Sequence, residues 1–200
     1  YWCNDNALAL AVWKKDKKEI KAICRTHGWD IYEERSDFNY LPYRKTINQY
    51  LNKLYFISEQ GKNYWQEKYG KGRNLSISRL GTHLANNKKS RKREQKDHLI
   101  VSCSTLISLK RVHLIIEALN LLESKYKIEW IHFGDGPLRD QLETKAEQLL
   151  HTKKNINWEF KGHASNQAVL AFYAQQQPDL FINVSETEGV PVSIMEAFSC

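Results

Sequence analysis

The stretch HLIVSCSTLISLKRVHLIIEALNLLESKYKIEWIHFGDGP, residues 98–137, decides the architecture. It opens on a short apolar run (98–104), passes through a helical pattern (110–125) and returns to a second apolar run (127–133) followed by glycine. Strand, helix and strand in that order make a crossover unit, which sets its two strands parallel and lays the helix on the sheet. Outward from it the rhythm continues. PLRDQLETKAEQLL (137–150) reads as a helix with Pro137 at its first position, NINWEF (155–160) as a strand and NQAVLAFYAQQQ (166–177) as a helix. DLFINV (179–184) and PVSIMEAF (191–198) add a strand and a helix. The strands are short and mostly apolar, as strands covered on both faces are. The expected class is α/β, with a parallel sheet between helices.

The first half repeats the theme less cleanly. Helices are expected over 6–21, 43–53 and 59–70, and strands over 22–28, 54–58 and 74–81, with an irregular stretch up to Pro42. Between the halves, HLANNKKSRKREQKD (83–97) is polar and basic with no apolar period, and reads as a linker. The expected organisation is a first Rossmann-like domain over 1–82, the linker over 83–97 and a second Rossmann-like domain over 98–200, both domains incomplete. YWCND begins without methionine and EAFSC stops inside a helical pattern, so the sequence reads as a piece of a longer protein.

With 42% hydrophobic residues in 200, the chain can bury a core and is no disordered tail. It has no apolar window long enough to span a bilayer and no signal-peptide pattern, so a cytoplasmic protein is expected. Cys3, Cys24, Cys103 and Cys200 are far apart with no C-x-x-C pair, which points to buried thiols rather than zinc or disulfides. Residues 1–98 carry 21 Lys and Arg against 11 Asp and Glu, and residues 99–200 carry 9 against 12. The basic half suits contact with something anionic, such as a membrane surface, a phosphorylated lipid or a nucleic acid; an ordinary solvated basic surface is the alternative.

Ligands of open α/β sheets bind beyond the carboxyl ends of the strands. After the run at 98–104 come Lys110 and Arg111, expected at the start of a helix, where a cation conflicts with the positive dipole end unless an anion joins it. A diphosphate resolves the conflict; a solvated pair is the alternative. After 127–133, Gly134 and Gly136 bracket Asp135 and let the backbone approach a ligand, although G-x-G lacks the third glycine of a dinucleotide fingerprint. After 155–160, Gly162 bares backbone groups that can read a nucleobase edge, beside a His163 that is either functional or merely solvated.

The last strand end, FINVSETEGVPVSIMEA (181–197), holds two glutamates. Glu188 stands on the loop, Gly189 permits a bend, Val190 and Pro191 lead into the helix, and Glu196 projects just over one turn in. The amides of Gly189, Val190 and Val192 are expected to face an anion. Carboxylates beside a phosphate site make sense if they accept hydrogen bonds from sugar hydroxyls. A nucleotide sugar has hydroxyls at both ends and a diphosphate between.

EGVPVSIMEA, LKRVHLIIEAL, HFGDGPL and FKGHAS together resemble the donor domain of a family 4 retaining glycosyltransferase of GT-B fold, over residues 98–200. RTHGWDIYEER and LYFISEQGKNYWQEKYG resemble the later part of the acceptor domain, and bacterial polysaccharide-type enzymes are the most similar branch. The resemblance implies that Glu188 meets the transferred sugar and its phosphate region, that Glu196 holds the ribose, that Lys110 stabilises the departing diphosphate, and that His27 lines the cleft near the donor sugar. Gly162 and His163 would lie near the base. It implies no metal and no cofactor: the donor is a substrate, and the acceptor is a saccharide or lipid-linked saccharide. The family commonly places an arginine about five residues before the lysine; Thr105 stands there, and either Arg111 serves the diphosphate instead or activity is weakened. The piece alone is expected to be inactive. Two rivals are a non-enzymatic anion or nucleic-acid binding module resting on KKSRKREQK, which lacks the interleaved aromatics single strands require, and a nucleotide-sugar epimerase.

Overall fold

The computed structural model describes residues 2–82, 97–123 and 125–200, so nearly all of the expected linker lies outside the described residues. The chain divides into two compact units, Tyr1–Leu80 and Gly81–Cys200.

In the first unit, helix α1 (Asp5–Asp16) begins where the Asn4 side chain accepts from the Asn6 amide, with Asp5 in its first turn and Lys14 and Lys15 in its last, charges that suit the helix dipole. Strands β1 (Ile23–Thr26), β2 (Lys53–Phe56) and β3 (Leu75–Ile77) form a parallel sheet in that order. Helices α2 (Arg44–Tyr50) and α3 (Glu59–Tyr69) connect them. Ala7 and Ala11, one turn apart on α1, are small enough to enter a core with Ile47, Leu54, Phe56 and Trp65. Strand β1 is shorter than the apolar pattern suggests, because the Asp30 carboxylate takes the His27 amide at 2.5 Å and turns the backbone out of the ladder.

The second unit runs β4 (Asp97–Cys103), α4 (His113–Leu121), β5 (Lys127–Phe133), α5 (Arg139–Leu150), β6 (Ile156–Gly162), α6 (Asn166–Gln176), β7 (Leu180–Phe181) and α7 (Val192–Phe198). Its four strands pair in parallel in the order β6-β5-β4-β7. Alternating residues feed two cores. Ile100, Ile128, Trp130 and Phe160 meet α4 and α5, while Leu99, Val101, Ile131 and Phe133 meet α6. The α/β class with Rossmann-like parallel sheets is therefore as the apolar runs predict.

Several local expectations change. Lys110 and Arg111 do not start the helix: Lys110 closes a 3-10 turn (Ser108–Lys110) and Arg111 sits at φ 48°, before α4 begins at His113. The Arg111 guanidinium donates to the carbonyls of Val184 at 2.9 Å and Ser185 at 3.4 Å, which draws this turn against the segment after β7. Pro137 precedes α5, which begins at Arg139, and the Leu138 amide donates to Leu106 O at 3.1 Å. Strand β7 has only two residues, since Asn183 Oδ1 accepts the Ser185 amide at 2.8 Å and bends the chain. Cys3 and Cys24 are buried thiols; Cys103 and Cys200 are only partly covered.

A buried polar chain ties β4 to β5. Trp130 Nε1 donates to Ser102 Oγ at 2.9 Å, so the Ser102 hydroxyl is left to donate to His132 Nδ1 at 2.7 Å, and His132 Nε2–H donates to Ser104 O at 3.0 Å. Every member is satisfied only with a neutral imidazole protonated on Nε2. Burial is the main cause that pushes the His132 pKa down, to about 4. The folded state thus refuses a proton that the unfolded chain takes up below about 6.5. Stability is full above that value and falls as pH drops towards about 4, by on the order of 3 kcal/mol. Denaturant unfolding across this window shows the slope, and His132→Gln flattens it.

Candidate functional site

In the second unit the strand order reverses at β4, which has β5 on one side and β7 on the other. Helices cover both faces, so the connections beyond the carboxyl ends of β4 and β7 diverge and leave a crevice there. The Glu186 amide donates to Leu109 O at 2.9 Å and stitches the two connections together. Across them Lys110 Nζ lies 2.7 Å from Glu188 Oε1, with the two side chains 20% and 27% exposed. Asn183 Nδ2 donates to the same oxygen at 3.2 Å. Burial pushes the Glu188 pKa up, but hydrogen bonds from Lys110, Ser185 and Asn183 outweigh it and hold the carboxyl below its usual range. An ammonium has three N–H donors, so Lys110 can keep Glu188 and still meet an anionic ligand. Arg111 braces the connection after β7 through the two carbonyl contacts described above.

The next strand ends form a second cluster, at Gly134, Asp135, Gly136, Gly162 and His163. Gly134 has φ +132°, and a Cβ there would lie 1.9 Å from Ser104 O. No other residue fits, because the backbones of the connections after β4 and β5 touch. The Gly134 amide donates to Gly162 O at 2.9 Å. Arg139 binds the group together, donating to Asp135 Oδ2 at 3.0 Å, Phe160 O at 3.1 Å and Glu143 Oε1 at 2.9 Å. The Gly136 amide foremost, and then Arg139, hold the Asp135 carboxyl below its usual range. His163 is exposed and adds a weaker pull in the same direction.

Glu196 lies apart from the ion pair, on α7. It is 9% exposed, and its Oε1 accepts from Asn166 Nδ2 at 2.6 Å. Gly189, Val190 and Pro191 lead the chain from Glu188 to α7, with Gly189 exposed and the other two half-buried. His27 belongs to the first unit, at the carboxyl end of β1, with Trp2 at 4.1 Å between ring centroids and Asp30 Oδ2 3.9 Å from its Nδ1. Burial pushes its pKa down. Sequence reasoning missed Asn166, Asn183 and Arg139. Asn183 left one trace, as a lone amide in the apolar run before Glu188.

A parallel sheet whose strand order reverses at β4 belongs to the doubly wound class of α/β units, whose ligands bind outside the carboxyl ends of the strands at the reversal. The chain belongs to the family described as glycosyl transferases group 1, whose model matches residues 85–200. It is 27% identical, over 178 residues, to an uncharacterized glycosyltransferase of Haemophilus influenzae; the match covers 84% of this chain and 47% of that protein. The chain therefore spans about half the length of this relative. Among solved structures it resembles S. aureus TarM in complex with Fondaparinux, alpha-GlcNAc-glycerol and UDP, at a TM-score of 0.68 and 18% identity, covering 94% of this chain and 37% of that one. It also resembles Anabaena HepE in complex with UDP and glucose, at a TM-score of 0.67 and 18% identity, covering 97% and 54%. These likenesses establish the fold, that of GT-B glycosyltransferases.

Gly134→Ala forces a methyl group into Ser104 O on a backbone that L residues avoid. It is expected to lower unfolding free energy by about 2–4 kcal/mol, seen as a lower melting temperature. Gly81→Ala meets nothing within 4 Å and serves as the control that leaves melting unchanged.

Proposed function

We propose that the protein transfers a sugar from a nucleoside-diphosphate sugar to a saccharide or lipid-linked saccharide acceptor, as a family 4 retaining enzyme in the making of a bacterial surface polysaccharide. The observation that carries this reading is the Lys110–Glu188 pair where the strand order reverses. Family membership supports it, and so do the UDP and sugar bound by HepE and TarM.

The leaving group in such a transfer is a nucleoside diphosphate, which needs charge stabilisation more than protonation. Lys110 supplies a fixed cation where that charge develops. Glu188, held ionised, accepts hydrogen bonds from hydroxyls of the sugar, and Glu196 accepts them from the ribose. Gly162 and His163 serve the base. The Gly134–Asp135–Gly136 turn and the Gly189–Val190–Pro191 segment form the walls of the same crevice, and Arg111 braces it. The leaving phosphate takes the acceptor's proton on the face from which the acceptor attacks, so the anomeric configuration is kept. The basic charge of residues 1–98 suits a peripheral station at the inner face of the cell membrane. Among the described residues no helix is long and apolar enough to cross a membrane.

Glu188→Ala in the full-length protein is expected to reduce transfer by about a hundred- to a thousandfold, by analogy with the loss of other groups that stabilise a transition state. Because the pair is partly exposed, the substitution shifts stability by only about 1 kcal/mol. Normal turnover in that variant rules the reading out. Nucleotide sugars screened by thermal shift identify the donor, since a ligand bound only by the folded state raises its melting temperature.

A further inference from the structure

We propose that Asn166 is a positioning residue, whose amide fixes the Glu196 carboxylate so that its second oxygen stands ready for a vicinal diol, the ribose of the nucleotide. The inference rests on the nucleotide-sugar reading of the site and deepens it, by naming what sets affinity at the nucleoside end.

Glu196 is an unusual carboxylate. It is only 9% exposed, on α7. The titratable groups that act on it from neighbouring elements are the Cys103 thiol at the end of β4 and the Tyr173 hydroxyl on α6. Both are acids. Burial first, and then the Glu196 charge, push the Cys103 pKa up, and burial is likewise the main cause at Tyr173. A neutral amide compensates the carboxylate: Asn166 Nδ2 donates to Oε1 at 2.6 Å. A neutral donor orients a carboxylate without removing its charge, so the remaining oxygen keeps full strength as an acceptor.

The placement of Asn166 adds to the argument. It is the first residue of α6, and Ser165 Oγ accepts the Ala168 amide at 3.2 Å, so the backbone that carries the amide is fixed by a helix cap. Only three residues separate it from Gly162, at the end of β6. The Asn166–Glu196 bond spans 30 residues of sequence and ties the connection after β6, which faces the base in the proposed reading, to the helix that holds the ribose. The Asn183–Glu188 bond repeats the device at the sugar end, an amide on one carboxylate oxygen.

The test uses the full-length protein with UDP and GDP, each compared with its 2′,3′-dideoxy counterpart by calorimetry. The wild type is expected to prefer one ribonucleotide over its dideoxy form, and Glu196→Ala to erase that preference. Asn166→Ala should weaken the ribonucleotide about tenfold, the worth of one hydrogen bond, and leave the dideoxy form unchanged. In the Glu196→Ala background it should have no further effect. Asn166→Asp places a second carboxyl against Glu196. The pair can share one proton at acid pH and must repel at alkaline pH, so binding should recover as pH falls, a profile that a merely structural residue does not produce. Equal weakening of ribo and dideoxy forms by Asn166→Ala, or effects that add to those of Glu196→Ala, overturn the proposal while leaving the ribose assignment standing. A wild type that binds neither nucleotide, or an intact ribose preference in Glu196→Ala, overturns the underlying reading and the proposal with it.

Discussion

Parallel pairing of β4 with β5 on one side and β7 on the other governs the rest of the second unit. Parallel strands send all their carboxyl ends to one edge of the sheet, and helix crossovers on both faces leave that edge uncovered only where the order reverses. The two connections that part at β4 are those that carry Lys110 and Glu188, residues 78 apart in sequence. Without that reversal the two charges would have no reason to meet. With it, they face each other across the mouth of the crevice, part-shielded from water and drawn together by the Glu186–Leu109 backbone bond beneath them.

The same edge is built with little side-chain bulk and many directional polar contacts. Gly134 lets the connections after β4 and β5 touch backbone to backbone, and the Trp130–Ser102–His132–Ser104 relay holds Ser104 in place from below. Arg139 performs the corresponding service between β5 and β6. The relay ends on a main-chain carbonyl and Arg139 reaches both the Phe160 carbonyl and the Asp135 carboxylate, so each brace sets where a connection runs. The relay needs its histidine neutral, and that requirement makes a site-forming contact also a contribution to stability.

The order of strands and helices was legible because each strand of the second unit is an apolar run between polar or glycine breaks, and helix periodicity fills the intervals. Glu188, Lys110 and the Gly134–Gly136 turn were legible for a related reason: each sits at a predicted strand end, where function in this architecture concentrates. The rest was hidden by distance along the chain. Arg111 reads as a charge at a helix start, and only the fold reveals that it reaches carbonyls 73 and 74 residues away. Asn166 reads as an ordinary first-turn residue until α7 brings Glu196 to it. Strand β7 reads as six residues and pairs over two, because the competing hydrogen bond that the Asn183 side chain accepts from the Ser185 amide is invisible in a hydrophobic pattern.

The ion pair at the reversal bears on how a diphosphate would be received. A lysine free in solvent loses up to about 2 kcal/mol of side-chain entropy when a ligand pins it. Lys110 is already pinned by Glu188, so most of that loss is met on folding rather than on binding. The pairing also weakens attraction for an anion, because Glu188 offsets the charge that the phosphate would seek. The two effects oppose each other, and what tips the balance is the donor's own chemistry. A bare diphosphate finds a half-neutralised cation. A diphosphate that carries a sugar also gives Glu188 hydroxyls to accept, and so turns the opposing charge into a second point of attachment. Under the proposed function, an arrangement of this kind favours the intact donor over its spent nucleotide, a bias that would speed release after transfer and follows from the carboxylate as much as from the lysine.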